Sequence, residues 1–412
     1  MMWQPTIEPY LARRKALMEQ AGDGVILVRG DAGGAVNPNF LYLTGIAEPR
    51  AVLLLAPAGT RVHTGARFPG PNYVRGEMVR QILFLPAPDP FATRWGESGP
   101  VDAGLAPDAA GVDAVFDTGM QHAVLDVALA STGRLHYVRG QRPSLAGDDD
   151  VDARFVERIR RRFFHLELAD ATPFLHEARR LKDEGEIACI ERSVNVVAEA
   201  LDRALGTVRA GARESAVEAE IAAVYRRHGG THAFDPIVAG GDRALILHYT
   251  RNDGPVEAGQ LLLIDTGVSI DGYKADITRT VPVDGRFTDR QREVYEAVLA
   301  ALEASIEFCG PGALIADIHQ RAHESLDAAG FASSFVHGIG HHLGLETHDV
   351  GDTHAGLAPG AVITIEPGVY LADEGIGIRI EDDVLITESG CRVLSEGIPR
   401  SVAAVEQRMG AR

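Results

Sequence analysis

Two β-hairpins that each carry a pair of carboxylates constrain the fold of this chain more than any other feature of its sequence. Asp265 in LLLIDTG and Asp276 in KADITRT flank a connection centred near Asp271, which begins the turn pair DG. Glu366 in TIEPG and Glu381 in IRIEDD are equidistant from a second turn signal. Each hairpin therefore places two carboxylates on adjacent strands, within about one residue of register, where cross-strand side chains are neighbours. Two such hairpins predict an internally duplicated sheet.

A fifth side chain completes a set of metal-capable groups in the last third of the chain. His341, in HGIGHHLGLETHD, joins the four carboxylates, so the set is rich in oxygen and contains one imidazole. Such a set suits a pair of divalent ions such as Mn2+ and suits a thiolate-type zinc site poorly. Asp265 follows a strand of the buried type, and metal coordination compensates a buried anion. Because two close ions ionise water near neutral pH and stabilise charge on an attacked carbonyl, the set predicts a metallohydrolase.

Histidines around these carboxylates are further candidates for the site. His337, His341, His342 and His348 lie within one short glycine-rich segment, and glycine permits close backbone approach. His248, in LILHYTRND, is predicted on a separate strand, from which it could act as proton donor or oxyanion stabiliser. Spacing alone does not choose between these two roles. Three histidines are predicted to be structural instead: His323, His342 and His354.

The alternation in RIEDD places Arg379 on the same face as Glu381 and Asp383. Such a run can be a surface ladder of charges. With Glu366 opposite, the pattern favours a cation that orients a ligating carboxylate.

Composition excludes several classes of protein. The 412 residues suggest two or three domains, and a net charge of −18 argues against a nucleic-acid partner. The first residues lack the apolar core of a signal peptide, and no stretch is long and apolar enough for a membrane span. Three widely spaced cysteines favour neither a disulfide framework nor a cysteine metal site, so a reducing cytoplasm is predicted. The sequence also contains no GxSxG, Walker A, HExxH or GxGxxG motif.

The chain divides into residues 1–165, predicted as an α/β domain without a chemical signature, and residues 173–412, which carry all the motifs above. In the first part, a helix is predicted at Leu11–Gln20, strands at VILV, AVLLLA and ILFLP, and loops at Arg67–Gly76 and Ala87–Pro107. In the second part, helices are predicted at Leu181–Leu205, Glu214–Arg227, Asp289–Phe308 and Ile315–Ala329, and strands at LILHYT, LLLID, AVITIE and GIRIEDDVLI.

Several of these motifs together resemble one known family. The segments THAFDPIVAGG, LHYTRNDG, LLLIDTGVSIDGYKADITRT, HGIGHHLGLETHDVG, TIEPGVY and IRIEDDVLIT are similar to those of the proline-specific metallopeptidases, aminopeptidase P and prolidase, within the pita-bread peptidases. The resemblance covers roughly residues 173–400, and NPNFLYLTGIAEPRAVLLL is similar to their non-catalytic domain. It implies an α+β fold, with a C-terminal pita-bread catalytic domain and an N-terminal α/β domain of the creatinase type.

The resemblance assigns the metal ligands residue by residue. It implies that Asp265 chelates one ion, that His341 and Glu366 hold the other, and that Asp276 and Glu381 bridge the two around a nucleophilic hydroxide. Manganese is the metal usual in the family, and cobalt or zinc fits the same geometry.

The resemblance also assigns roles in catalysis and substrate binding. Glu366 would be the general base and acid, and His248 and His348 would contact the scissile peptide. His337 would line the substrate pocket, and Arg379 would stand beside the bridging glutamate.

Departures from the family pattern bear on the substrate. Prolidases usually carry an extra arginine between the HDVG and TIEPG motifs, and Gly351–Thr364 contains no Arg or Lys. The chain is therefore predicted to remove the first residue from peptides with proline in second position. Prolidase activity on Xaa-Pro dipeptides is the alternative, since His354 could replace the arginine. A metal-free binding protein on the same scaffold is a further alternative. The resemblance also implies a homodimer, in which Trp95 either covers a neighbouring cleft or packs as an ordinary aromatic.

Overall fold

The computed structural model describes residues 6–31, 34–62, 77–87, 94, 105–140 and 151–410. Its internal contacts divide the chain into two units, Met1–His176 and Glu177–Arg412. The division falls shortly after the boundary region that the sequence predicts, and Trp95 lies outside the described residues.

A six-stranded mixed sheet forms the centre of the first unit. Its strands are β1 (Val25–Arg29), β2 (Val52–Val62), β3 (Glu77–Leu85), β4 (Ala114–Asp117), β5 (Arg134–Val138) and β6 (Glu167–Asp170). The spatial order is β4-β3-β2-β1-β5-β6; β2 is antiparallel to β1 and β3, and the other neighbours are parallel. The three predicted apolar strands are confirmed as β1, β2 and β3. Their side chains Leu27, Leu54 and Phe84 pack with Leu135 in the core.

The helices described in the first unit are α1 (Glu8–Ala21), α2 (Pro38–Thr44), α3 (Pro107–Ala110), α4 (Gln121–Ala130) and α5 (Val151–Arg162), and α6 (Thr172–Arg180) continues into the second unit. The helix predicted near the amino terminus is confirmed as α1. Its buried Arg14 donates to the carbonyls of Leu43 and Gly111 and to Gln81 Oε1, each at 2.7 Å. The first predicted loop, and most of the second, lie outside the described residues.

Helices of the second unit agree closely with the sequence prediction. They are α7 (Glu184–Leu205), α8 (Glu214–Arg227), α9 (Asp289–Phe308), α10 (Ile315–Ala328) and α11 (Val402–Gly410). Capping boxes begin two of them, with Asp183 and Glu186 on α7 and Thr288 and Gln291 on α9. In the described part of the chain, no helix combines the length and apolarity that a membrane span requires.

Two three-stranded antiparallel sheets of the second unit carry the acidic segments. The strands of this unit are β7 (Thr231–His232), β8 (Ile237–Gly240), β9 (Leu261–Thr266), β10 (Val268–Ile270), β11 (Tyr273–Lys274), β12 (Ile277–Pro282), β13 (Val362–Ile365), β14 (Gly368–Leu371), β15 (Ile376–Arg379), β16 (Asp382–Thr387) and β17 (Gly390–Val393). The two sheets have the orders β12-β9-β8 and β13-β16-β17, and the described part of the unit also contains a three-stranded sheet, β11-β10-β7, and a two-stranded one, β14-β15.

The first acidic hairpin turns one residue later than predicted, so its register differs from the predicted one by two residues. It turns at Asp271 and Gly272, whose φ values of 51° and 87° fit a type I′ turn, so Asp265 pairs with Thr278. Asp276 therefore lies two residues before the partner of Asp265. Because side chains alternate along a strand, Asp276 and Thr278 still belong to the same face.

The second acidic hairpin has the predicted register. Ile365 pairs with Asp382 in one ladder and Gly368 pairs with Arg379 in the next, with the same offset. Glu366 and Glu381 therefore lie opposite each other, between the two ladders.

The strand predicted at LILHYT is wrong. Gly241–Leu245 forms a 3-10 helix and His248 lies in the loop that follows it. Polar anchors replace strand pairing here: Tyr249 Oη donates to Glu214 Oε2 (2.9 Å), and Asn252 Oδ1 accepts from the N–H of Val238 (2.8 Å). The segment therefore packs its side chains on neighbouring strands, with Tyr249 in one cluster with Ile237 of β8 and Leu263 of β9, but does not itself form a strand.

Candidate metal centre

Main-chain hydrogen bonds bring three separate segments of the second unit together. The N–H of Glu381 donates to the carbonyl of Thr278 (3.1 Å), which joins the second acidic hairpin to the first. The N–H of Glu366 donates to the carbonyl of Ile339 (2.8 Å), which joins the glycine- and histidine-rich loop to the second hairpin. At each glutamate, the main chain therefore stops pairing within its own hairpin and pairs with another segment. Glu381 pairs with the first hairpin, and Glu366 pairs with the glycine- and histidine-rich loop.

Side chains from these three segments surround one small volume. Asp276, His341 and Glu381 each offer one ligand atom within 4.8 Å of the other two. His341 Nε2 lies 3.6 Å from Asp276 Oδ2 and 3.7 Å from Glu366 Oε1. Asp276 and Glu381 are only 5% and 2% exposed. The structure therefore brings four of the five predicted ligands together.

Asp265, the fifth predicted ligand, is held beside this group by Arg379. Its Oδ2 accepts a hydrogen bond from Arg379 Nη2 at 2.5 Å. Its Oδ1 is buried and has no hydrogen-bond partner among the described residues. Buried carboxylate oxygens are normally paired, so this open acceptor fits a cation ligand.

The acidic side chains carry more negative charge than the surrounding protein neutralises. Burial, and then repulsion from neighbouring carboxylates, raises the pKa values of Asp276 and Glu381 well above their usual range. The Glu366 side chain is 20% exposed, yet burial raises its pKa to about 7. Burial lowers the pKa of His341 to about 4, so its imidazole is neutral and can ligate a metal. A bound divalent cation would favour all these groups in their ligating forms, so the donor set fits a metal centre.

Two hydroxyl groups that the sequence analysis did not single out organise this centre. Thr278 Oγ1 donates to Glu381 Oε2 (2.7 Å) and accepts from Arg379 Nε (3.2 Å). Tyr370 Oη accepts from Arg379 Nη1 (2.9 Å) and lies 3.0 Å from His337 Nε2. Strand alternation from Asp276 could have identified Thr278, whereas Tyr370 gives no sequence signal of its own.

The predicted histidines take three different positions. His337 lies against Tyr370, 4.0 Å from Glu366 Oε2, and burial lowers its pKa to about 4. The exposed ring of His348 meets that of His341 edge-on, with centroids 4.2 Å apart. His248 is exposed in its loop, and it contributes less to the lowered pKa of His337 than burial, Arg379 and His319 do. His337 and His348 therefore lie beside two of the predicted ligands, Glu366 and His341, and His248 lies near enough to His337 to affect its pKa.

The histidines predicted to be structural lie elsewhere. His342 is 3% exposed, and neither of its ring nitrogens has a hydrogen-bond partner among the described residues. A Cβ on Gly351 would lie 1.9 Å from its ring, so this histidine packs directly on glycine. His323 and His354 are exposed.

Thr278→Val is expected to weaken metal binding by about 10- to 100-fold, because Glu381 loses the donor that orients it. Valine has the same shape, so packing changes little. Titration of the metal-free protein with Mn2+ in a calorimeter measures the effect, with Thr387→Val at the far end of β16 as control. Equal affinities of the two variants would contradict the assignment of Thr278.

This geometry, a mixed α+β unit with buried carboxylates and one neutral imidazole around a small volume, is typical of metallohydrolases. Comparisons with known proteins agree. A model of metallopeptidase family M24 matches residues 188–388. The Xaa-Pro aminopeptidase of Escherichia coli (strain K12) is 32% identical over 98% of this chain and 98% of its own length. The Xaa-Pro aminopeptidase of Haemophilus influenzae is also 32% identical, over 90% of this chain and 87% of its own.

Solved structures give the same result. The aminopeptidase PepP of Pseudomonas aeruginosa has a TM-score of 0.85 and 30% identity, covering 100% of this chain and 99% of its own. Escherichia coli aminopeptidase P with the inhibitor Pro-Leu has a TM-score of 0.84 and 30% identity, covering 99% of both chains. The chain therefore belongs to metallopeptidase family M24, alongside the Xaa-Pro aminopeptidases. The predicted α+β fold with a pita-bread domain is confirmed.

Proposed function

We propose that this protein is a dinuclear metal-dependent Xaa-Pro aminopeptidase, which hydrolyses the first peptide bond of peptides with proline in second position. The observation that carries the proposal is the convergence of Asp276, His341, Glu366 and Glu381 beside Asp265, whose Oδ1 has no hydrogen-bond partner in the described part of the chain. The names of the similar proteins support the substrate class.

The ligand assignment is the one that the family resemblance implies, and the grouping of these side chains supports it. Asp265 would hold one ion, His341 and Glu366 the other, and Asp276 and Glu381 would be shared by both. When bound, two divalent ions supply a water that ionises near neutral pH and a positive charge that stabilises the attacked carbonyl. The predominance of oxygen donors favours Mn2+, and the same set accepts Co2+ or Zn2+.

Glu366 is the proposed proton carrier of the reaction. Burial raises its pKa to about 7, and its side chain is 20% exposed. It would accept a proton from the attacking water and deliver it to the proline nitrogen as the carbon–nitrogen bond breaks. The products are the free first residue and a peptide that begins with proline.

Three imidazoles would position the substrate. His348 and His248 are exposed, and each can donate a hydrogen bond to the scissile peptide or to its charged intermediate. His337 and Arg379 share Tyr370 as a hydrogen-bond partner, which would hold both side chains in place against the substrate. An Xaa-Pro bond has no N–H and lies in a rigid chain, so shape and a clamped amino terminus must align it.

An Xaa-Pro-Yaa tripeptide is expected to be hydrolysed with a kcat/KM at least about 10-fold higher than that of the Xaa-Pro dipeptide. Gly351–Thr364 offers no Arg or Lys to pair with a dipeptide carboxylate. Rates measured after Mn2+ loading, with Xaa-Ala-Yaa as the control peptide, test this. Faster hydrolysis of the dipeptide would instead assign prolidase activity.

A metal-free binding protein on the same scaffold is the alternative proposal. Metal analysis of protein purified without chelators separates this alternative from the enzyme, since the enzyme should retain up to two ions per chain.

We further propose a cytoplasmic homodimer. The three cysteines, all free thiols, favour a reducing compartment. Light scattering on the purified protein measures the oligomeric state.

A further inference from the structure

A cluster of buried charged side chains surrounds the residue that follows His348 in the chain. Asp349, the next residue, accepts from Arg179 Nη2 on Oδ1 (2.6 Å) and from Lys182 Nζ on Oδ2 (3.1 Å). Arg179 Nη2 also donates to Glu346 Oε2 (2.8 Å). The side chains of Arg179, Lys182 and Asp349 are 2%, 1% and 1% exposed. Charges buried this completely persist only when they are paired, so the cluster has little freedom to rearrange.

The two neighbours His348 and Asp349 face opposite ways. His348 is exposed beside His341, whereas Asp349 points into the protein. The main chain closes tightly around the buried carboxylate: the N–H of Asp349 donates to the carbonyl of His342 (2.9 Å). A Cβ on Gly344 would lie 2.2 Å from Asp349 Oδ2. Fixing the carboxylate therefore fixes the peptide that carries the imidazole.

Lys182 also connects this loop to the segment that precedes the metal-ligating hairpin. Its main-chain N–H donates to the carbonyl of Gly360 (2.8 Å). Gly360 has a φ of 90°, and a Cβ there would lie 3.0 Å from the carbonyl oxygen of Lys182, so the segments are in close contact. Gly360 immediately precedes Ala361 and β13, which ends beside Glu366.

We propose that Arg179 and Lys182 are positioning residues, which act through Asp349 to hold the His348 imidazole over the metal centre. This inference rests on the proposed function for its effect on catalysis, while the placement of His348 can be tested separately. The hydrogen bonds described for the two cations go to Asp349, to Glu346 and to the carbonyl of Arg180. Their effect on the reaction should therefore pass through His348, since a small misplacement of a substrate-contacting group is costly.

Arg179→Gln is expected to lower kcat on an Xaa-Pro-Yaa tripeptide by about 10- to 100-fold while KM changes less than about 3-fold. Arg180→Gln is the matched control, because Arg180 is the adjacent residue and forms its ion pair with the exposed Glu177. The control should stay within about 2-fold of the parent protein. Arg179→Lys keeps a charge and should recover part of the loss.

A double-mutant cycle separates positioning from a general structural effect. In a His348→Ala background, Arg179→Gln should lower kcat by less than about 3-fold, because the histidine through which Arg179 acts is no longer present. The same loss in both backgrounds would overturn the proposal. Metal content and thermal unfolding of every variant ensure that only folded, loaded protein is compared. If Arg179→Gln does not fold, Arg179→Lys and Lys182→Gln complete the cycle.

A second measurement does not depend on enzymatic activity. In protein labelled with 15N-histidine, the His348 imidazole signal, assigned by its loss in His348→Gln, should shift or broaden in Arg179→Gln and not in Arg180→Gln. An unchanged signal in Arg179→Gln overturns the proposal even if the protein hydrolyses no peptide. Absence of activity in the parent protein, with the expected signal change, would instead refute the proposed function alone.

Discussion

Glu381→Gln is expected to lower kcat/KM on an Xaa-Pro-Yaa tripeptide by at least about a thousand-fold, equivalent to about 4 kcal/mol of transition-state stabilisation. Glutamine has the same shape, but it removes the charge at the point where both hairpins meet. Glu381 is 2% exposed, and its carboxylate shares the small ligand volume with Asp276 and His341. Steady-state rates and metal content, measured at saturating Mn2+, test the expectation.

Asp373→Asn is the matched control for this substitution. Asp373 is an exposed acid at the tip of the same hairpin, in the 3-10 turn between β14 and β15. It should leave both the rate and the metal content within about 2-fold of the parent, because exposed charges contribute little. Full activity in Glu381→Gln with normal metal content would refute the assignment of a catalytic dinuclear centre.

Glu214→Ala is expected to reduce the free energy of unfolding of the second unit by about 3–5 kcal/mol. Glu214, at the start of α8, is fully buried and accepts from Arg243 Nε (2.6 Å) and Tyr249 Oη (2.9 Å). It also accepts from the main-chain N–H groups of Gly240 (2.8 Å) and Gly254 (2.7 Å). Alanine would leave four donors without this partner. A decrease in Tm of roughly 6–20 °C should follow.

Glu220→Ala on the same helix is the control, because its pair with Arg203 is long (3.4 Å) and partly exposed. Such a pair contributes at most about 1 kcal/mol. The loop that Glu214 anchors also carries His248, so kcat should fall in Glu214→Ala at temperatures where the protein is still folded. Equal Tm values for the two variants would show that the buried carboxylate is not essential to this loop.

The sequence predicted most of the regular elements because local patterns specify them. Helical spacing predicted α7 and α9, which begin with capping boxes in the structure, and the apolar runs of the first unit became neighbouring strands of one sheet. The register of a hairpin was predictable only where the turn lies midway between its two carboxylates. Glu366 and Glu381 are opposite as expected, whereas in the first hairpin Asp265 pairs with Thr278, because the turn lies at Asp271–Gly272 itself.

Sequence patterns within a single segment did not predict the residues whose positions depend on partners far away in the chain. The run LILHYT has the composition of a strand, but its Tyr249 is held by Glu214 on α8. Tyr370 gains its position from Arg379 and His337, and Asp349 is held by cations more than 160 positions earlier in the chain. Such long-range contacts do not produce a periodic pattern in the sequence.

By itself, the sequence determined the kinds of ligand available, the secondary structure that carries them and the family. Those properties depend on residue type and on neighbours along the chain. Only the tertiary structure decided that two hairpins and a loop meet, through the main-chain contacts of Glu381 with Thr278 and of Glu366 with Ile339. It also decided which buried charges remain without a protein counter-charge, because burial and repulsion depend on distances between segments that the sequence does not specify.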